Sequence, residues 1–377
     1  MRIIVLTYKR FYVNPTRYLF LSEVSEIKGV EIFGKGYRAP KLTIKEMENG
    51  SGKFDLVLID SVYFFGRDTN RMIQMYNAPS MDWPQDLLDY GVPIIVLNLL
   101  DDIHGGVKDN FVKLKDSKAF VLSTATSRQF FRQLSAADFA RERWLSPHAY
   151  VFEHPEVIDD RYLLFPHCVS EQEFIAIDPK RKKYDVSVMG VKYHFRKVII
   201  EYLSHQKDLK TITSNRLRQR ILANLATRWN VATSLYYSSF KKAIHNSLVS
   251  ITCSGTVGYP IRKFFEIPAF GSIVMAEFFD NPEELGFINK ENCLYLNEYN
   301  LDDMVYLIKT LRRDNFLAQN IAESGQEMIR EYHTVKVRVR QLCEIAAALV
   351  NGSLQTTRWE NGKQLLVMGK EKCPSCS

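Results

Sequence analysis

The chain has 377 residues, too many for one ordinary core and enough for two α/β domains. Apolar residues make up 46% and charged residues 25%, the composition of a globular protein. A formal charge of +7 favours anionic partners such as nucleotide diphosphates, nucleic acid or acidic lipid headgroups, but no basic stripe with interleaved aromatics supports a nucleic-acid binder.

The N-terminal run Ile3-Ile4-Val5-Leu6 is too short for a signal peptide, and no stretch of roughly 20 apolar residues follows. The expectation is a cytoplasmic protein, with peripheral contact at the inner membrane surface left open. Ile3 to Thr7 reads as a strand buried on both faces. Asn14-Pro15 then opens a helix to about Lys28, with an N-cap and a proline at its first position. A strand near Val30 to Gly34 completes a βαβ pattern. The alternation continues through a strand over Phe54 to Ile59, a short helix over Pro84 to Tyr90 and a strand over Pro93 to Leu97. A helix from Val112 and the run Val121-Leu122-Ser123-Thr124 repeat it. By the connection rules this half is a parallel, doubly wound sheet.

The texture breaks between about 140 and 183, where Pro147, Pro155 and Pro166-His167-Cys168 lie, and the interdomain linker is placed at 165–180. Lys180-Arg181-Lys182-Lys183 reads as a solvated linker segment or as an anion contact. A second α/β unit begins with a strand over Tyr184 to Met189 and a helix from about Phe195 to His205. A strand over Leu248 to Cys253, a helix over Ile261 to Phe270 and a strand over Ser272 to Ala276 follow. Helices over 302–312, 317–332 and 335–350 close the unit. The fold class is therefore α/β, with two Rossmann-like doubly wound domains facing a cleft: 1–170, 171–350, and a tail over 351–377. Six cysteines show no framework spacing, and Cys373-x-x-Cys376 has no second pair to complete a zinc site, so it reads as tail.

Ligands of such sheets bind at the carboxyl ends of the strands. Gly190 directly follows a strand, with Lys192 and Arg196 supplying charge at the next helix opening. Gly255, Thr256 and Gly258 lie between a β-rich strand and Pro260, a turn whose backbone N–H groups and helix end can hold a phosphate. Arg262 sits in that helix's first turn, where a cation opposes the dipole and calls for an external anion. Glu266 is one turn deeper on the same face. The alternative is a plain Arg262–Glu266 helix pair of a few tenths of a kcal/mol. His333 reads as structural, before a Thr334 N-cap. In the first half, Asp101-Asp102-Ile103-His104-Gly105-Gly106 follows a strand end, so Asp102 or His104 can serve as a general base, or the loop is an Asp-rich turn. Asp101 and Asp102 are adjacent rather than spaced, so no metal ligand set is read.

The run Arg262-Lys263-Phe264-Phe265-Glu266-Ile267-Pro268-Ala269-Phe270-Gly271 resembles the "R-x-F-E-x-x-A-x-G" core of the spore-maturation CgeB-like glycosyltransferases. Tyr184 to Gly190 resembles that family's opening strand and glycine, and Glu331-Tyr332-His333-Thr334 with Arg338 its closing "E-x-H-T-x-x-x-R" signature. The match spans about 184–342 and is looser before that. The resemblance implies a GT-B fold, a UDP- or GDP-type nucleotide-sugar donor in the C-terminal domain, and a glycan, lipid-linked or protein acceptor in the N-terminal one. It implies that Glu266 binds the ribose hydroxyls, while Arg262, Lys192 and the Gly255–Gly258 loop neutralise the diphosphate without a metal or other cofactor. Many retaining GT-B enzymes carry a glutamate eight positions before the ribose-binding one; here that position is Gly258, so the stereochemistry stays open. A nucleotide-sugar epimerase, a phosphorylase of similar fold and a non-catalytic binder are the alternatives.

Overall fold

Ile3–Leu6 (β1) is an unbroken apolar run with every residue buried, which requires cover on both faces of its sheet. In the computed structural model, which describes residues 1–9, 16–50, 52–65, 84–99, 108–124, 159–190, 194–214, 230–254, 260–296 and 300–369, that cover comes from helices. The N-terminal sheet adds Val30–Phe33 (β2), Leu56–Asp60 (β3), Ile94–Asn98 (β4), Phe120–Ser123 (β5) and Tyr162–Leu164 (β6). Its order is β2-β1-β3-β4-β5-β6, all parallel, with Ile3 opposite both Val30 and Leu56. Helices Thr16–Val24 (α1), Ile44–Met47 (α2), Ser61–Phe65 (α3) and Lys108–Ser117 (α4) connect these strands.

The C-terminal sheet holds Tyr184–Val188 (β7), Thr211–Thr213 (β8), Ser247–Cys253 (β9), Ile273–Glu277 (β10) and Leu294–Tyr295 (β11). Its order is β11-β10-β9-β7-β8, again all parallel. Helices His194–Ser204 (α5), Asn230–His245 (α6), Lys263–Ala269 (α7), Leu301–Arg313 (α8) and Asn315–Tyr332 (α9) accompany it. Two parallel sheets thus stand where the alternation predicts them. No helix among the described residues is long and apolar enough to cross a membrane.

Two features depart from the sequence expectation. Val335–Val350 (α10), read as part of the C-terminal unit, packs Leu342, Ile345, Ala346 and Leu349 into the core built by Ile3, Val5, Phe20 and Leu21. Its apolar stripe matches a groove on the N-terminal sheet, and sequence order says nothing of that choice. The stretch read as a polar tail forms a hairpin, Leu354–Glu360 (β12) with Lys363–Met368 (β13). Its turn is Asn361-Gly362, both at positive φ (49° and 84°), the geometry that two-residue hairpins prefer. Trp359 anchors it: the ring is buried, and its indole N–H donates to Leu164 O at 2.9 Å. Cys373 and Cys376 lie outside the described residues.

The linker is gripped by the α9–α10 corner. Val169 N–H donates to His333 O at 3.1 Å, and Val335 N–H returns a bond to Val169 O at 2.9 Å. Arg338 Nε donates to Pro166 O at 2.9 Å. His333 is fully buried, with Nε2 donating to Leu285 O at 2.7 Å and Nδ1 accepting from Arg338. Burial first, and the Arg338 charge second, hold its imidazole far below the ordinary histidine value, so it stays neutral. The Glu331-to-Arg338 signature is here a joint between the two units.

Candidate functional site

Strand β7 ends at Val188, and Gly190 takes a φ of +101° two residues later. A Cβ there would stand 2.8 Å from both Cε and Nζ of Lys263 and 3.3 Å from Arg196 Nη1. The glycine therefore lets two cations close over the strand end. Its N–H donates to Ser214 Oγ at 2.7 Å, just past β8. Arg196, in the first turn of α5, is 1% exposed, and its Nη2 donates to Thr252 Oγ1 at 3.1 Å near the end of β9. Gly190, Arg196 and Lys263 thus meet at the carboxyl ends of β7 and β9, where parallel sheets bind ligands.

Arg262 precedes α7 and is buried. Its Nε donates to Thr16 Oγ1 at 3.0 Å. Nη1 donates to Tyr237 OH at 3.0 Å and Glu266 Oε1 at 2.5 Å. Nη2 donates to Glu173 Oε1 and Oε2 at 2.7 and 2.9 Å. These contacts involve all three guanidinium nitrogens, with one Nη2 hydrogen shared between the two Glu173 oxygens. The expectation that Arg262 faces a diphosphate thus meets a different arrangement: the anion at this helix end is a carboxylate carried in by the linker.

Glu173 sits in a short 3-10 turn over Glu171–Glu173, and its Oε2 also accepts from Ser170 N–H at 2.6 Å. Burial works to raise its carboxyl. The Arg262 charge and the hydrogen bonds from Tyr237, Ser170 and Arg262 outweigh that and hold it below the ordinary range. Glu266 shifts the other way. Burial pushes its carboxyl up, with Arg262 opposing and Glu173 reinforcing the rise. Its Oε1 accepts from Arg262 and lies 3.1 Å from Tyr237 OH, whose proton goes to the nearer Glu173 Oε1, while no described residue donates to Oε2. Tyr236 feels both sides of the site: burial and then the Glu266 charge raise its phenol, and Arg196 opposes them.

The structure thus brings Gly190, Arg196, Arg262 and Glu266 into one region. Asp102, His104, Lys192, Gly255, Thr256 and Gly258 lie outside the described residues. Sequence reasoning missed Lys263, Glu173, Tyr237 and Thr16. The Ser170-x-x-Glu173 capping pattern was a signal for Glu173, though not for its partner. On the N-terminal side, Arg17 forms a buried pair with Asp60 at the end of β3, Nε to Oδ2 at 2.7 Å, and its guanidinium lies 4.0 Å from the centre of the Tyr8 ring.

Residues 206–344, from just before β8 into α10, match a family model described as glycosyl transferase-like. Solved structures match almost the whole chain. Anabaena Alr3699/HepE, in complex with UDP and glucose, is 10% identical with a TM-score of 0.52, over 93% of this chain and 100% of that one. An alpha-glucosyltransferase in complex with UDP is 11% identical with a TM-score of 0.53, over 92% and 100%. Sucrose-phosphate synthase from Thermosynechococcus elongatus is 11% identical with a TM-score of 0.52, over 94% and 100%. The fold is of the GT-B type. The glycosyltransferase-like segment contains β9, α7 and β10, and with them Arg262, Lys263 and Glu266 at the start of and along α7. No curated protein matches the chain in sequence.

Proposed function

We propose that the protein transfers a sugar from a nucleoside-diphosphate donor to a hydroxyl acceptor, in the manner of the CgeB-like enzymes that its 262–271 run resembles. The observation that carries this reading is the Glu266 carboxylate, with Oε1 held by Arg262 and Oε2 left for a ligand. A vicinal diol such as that of ribose offers hydroxyl donors suited to such an oxygen. Lys263, three residues earlier, leans over Gly190 beside Arg196, where a diphosphate is neutralised as the glycosidic bond breaks. Charge placed where it develops is a large term in such transfers. Lys192 and the Gly255–Gly258 segment are further candidates for the diphosphate, and two cations supply what a metal would otherwise supply. UDP is the favoured donor nucleotide, since similar folds have been solved with UDP, and GDP is the other arm of the test. The acceptor is a glycan, a lipid-linked molecule or a protein, with Asp102 or His104 taking its proton.

A thermal-shift series with UDP-, GDP-, ADP-, dTDP- and CMP-sugars tests this directly. A donor at 100 times its Kd should add about 2.7 kcal/mol of stability. Glu266→Gln should weaken that stabilisation, and EDTA should leave transfer intact. Stabilisation by none of these sugars would overturn the reading. Turnover of the donor without any acceptor would point to an epimerase instead.

A further inference from the structure

Arg262 joins parts of the chain that are far apart: Thr16 at the start of α1, Glu173 in the linker, Tyr237 on α6 and Glu266 on α7. All are buried or nearly so. Burying one guanidinium with two carboxylates is a poor way to gain stability, because desolvation offsets the attraction. Such a cluster is better suited to fixing orientation. Its parts also do different things. Glu173 grips the guanidinium with both oxygens, whereas Glu266 uses one and keeps the other. Oε2 of Glu266, with no donor among the described residues, can accept from a ligand hydroxyl.

Thr16 adds a direction. Its Oγ1 accepts from Arg262 Nε and lies 3.1 Å from His167 Nδ1 in the linker. A hydroxyl that accepts from Arg262 still has one proton to donate, and His167 Nδ1 stands where it can receive it. The N-terminal unit thereby reads the position of the α7 guanidinium through a two-bond chain.

We infer that Arg262 is a positioning residue that couples the two units: Glu173 holds its guanidinium so that Glu266 keeps one oxygen for the donor, and Thr16 ties the same guanidinium to the N-terminal unit, setting the register between the two. This rests on the donor-site reading above. Thr16→Val removes the hydroxyl and keeps the volume. It should leave the UDP-sugar Kd within about twofold of wild type while kcat falls about tenfold, because donor and acceptor halves lose their register. Thr16→Ser should restore kcat. Glu173→Gln should instead raise the donor Kd, since Glu266 then takes over the guanidinium. A Thr16→Val protein with unchanged kcat overturns the coupling, as does one whose Kd rises as much as that of Glu173→Gln. A readout independent of turnover separates this failure from that of the donor reading. Each of Thr16 and Glu173 bonds to Arg262, so the Tm losses of Thr16→Val and Glu173→Gln should combine to less than their sum. Strict additivity overturns the inference even if nucleotide sugars bind. Failure of wild type to bind any nucleotide sugar overturns the donor reading and leaves this test standing.

Discussion

Replacing Arg262 with methionine is the sharpest perturbation of the buried cluster. Methionine keeps much of the side chain's length and removes all five donated bonds. Glu173 and Glu266, whose side chains are 7% and 5% exposed, then lose the cation that pairs with both. Breaking a buried ion pair from one side costs about 3–5 kcal/mol. For a cooperative unit of the size of either half, that is a Tm lowered by roughly 6–20 °C. The penalty should depend on pH in a definite sense. In the wild type the Glu173 carboxyl is held low, so its stabilisation is present above the unfolded carboxylate range and is lost as pH falls through its folded value. In the variant, burial and mutual repulsion raise both carboxyls. A raised carboxyl costs stability at neutral pH and returns it as the group protonates. The gap between wild type and Arg262→Met should therefore be widest near pH 8 and should narrow toward pH 5. Urea or thermal unfolding at both values measures it. A penalty below about 1 kcal/mol, or one that widens on acidification, would refute the buried-cluster account.

Other outcomes follow from the same geometry. Gly190→Ala forces a φ of +101° on an L side chain and sets its Cβ 2.8 Å from the Lys263 ammonium. Backbone strain of about 1–3 kcal/mol is expected, together with a weaker UDP-sugar Kd in the titration that measures it. Lys263→Ala should raise the donor Kd with little change in Tm, and Lys263→Arg should recover most of the affinity; equal affinity in the alanine variant would remove Lys263 from the site. Gly362→Ala places a Cβ 2.4 Å from the Tyr332 ring at a φ of +84°. Amide exchange should then rise across 354–368, and unchanged protection there would show that the hairpin tolerates the residue.

The sheets were legible because both are parallel. Strands buried on both faces are nearly continuous apolar runs, and β1, β3 and β4 each announce themselves in that way. Strands β6 and β8 are three residues long and fall below that signal. Helix α6 hides its period among Ser, Thr and Tyr. The hairpin was signalled by Asn361-Gly362 but masked by strands that are polar on one face. The site was half legible for a related reason. Arg262 and Glu266 are four apart, so local spacing puts them on one helical face. Glu173 is 89 residues away and Thr16 is 246 away, and no local rule reaches either. A cation at a helix start reads the same whether its anion is a substrate phosphate or a carboxylate delivered by a linker. Here a linker carboxylate already sits against Arg262, with all three guanidinium nitrogens bonded inside the protein. One residue further along, about 100° around the axis of a 3.6-residue turn, is Lys263, turned toward Gly190 and Arg196.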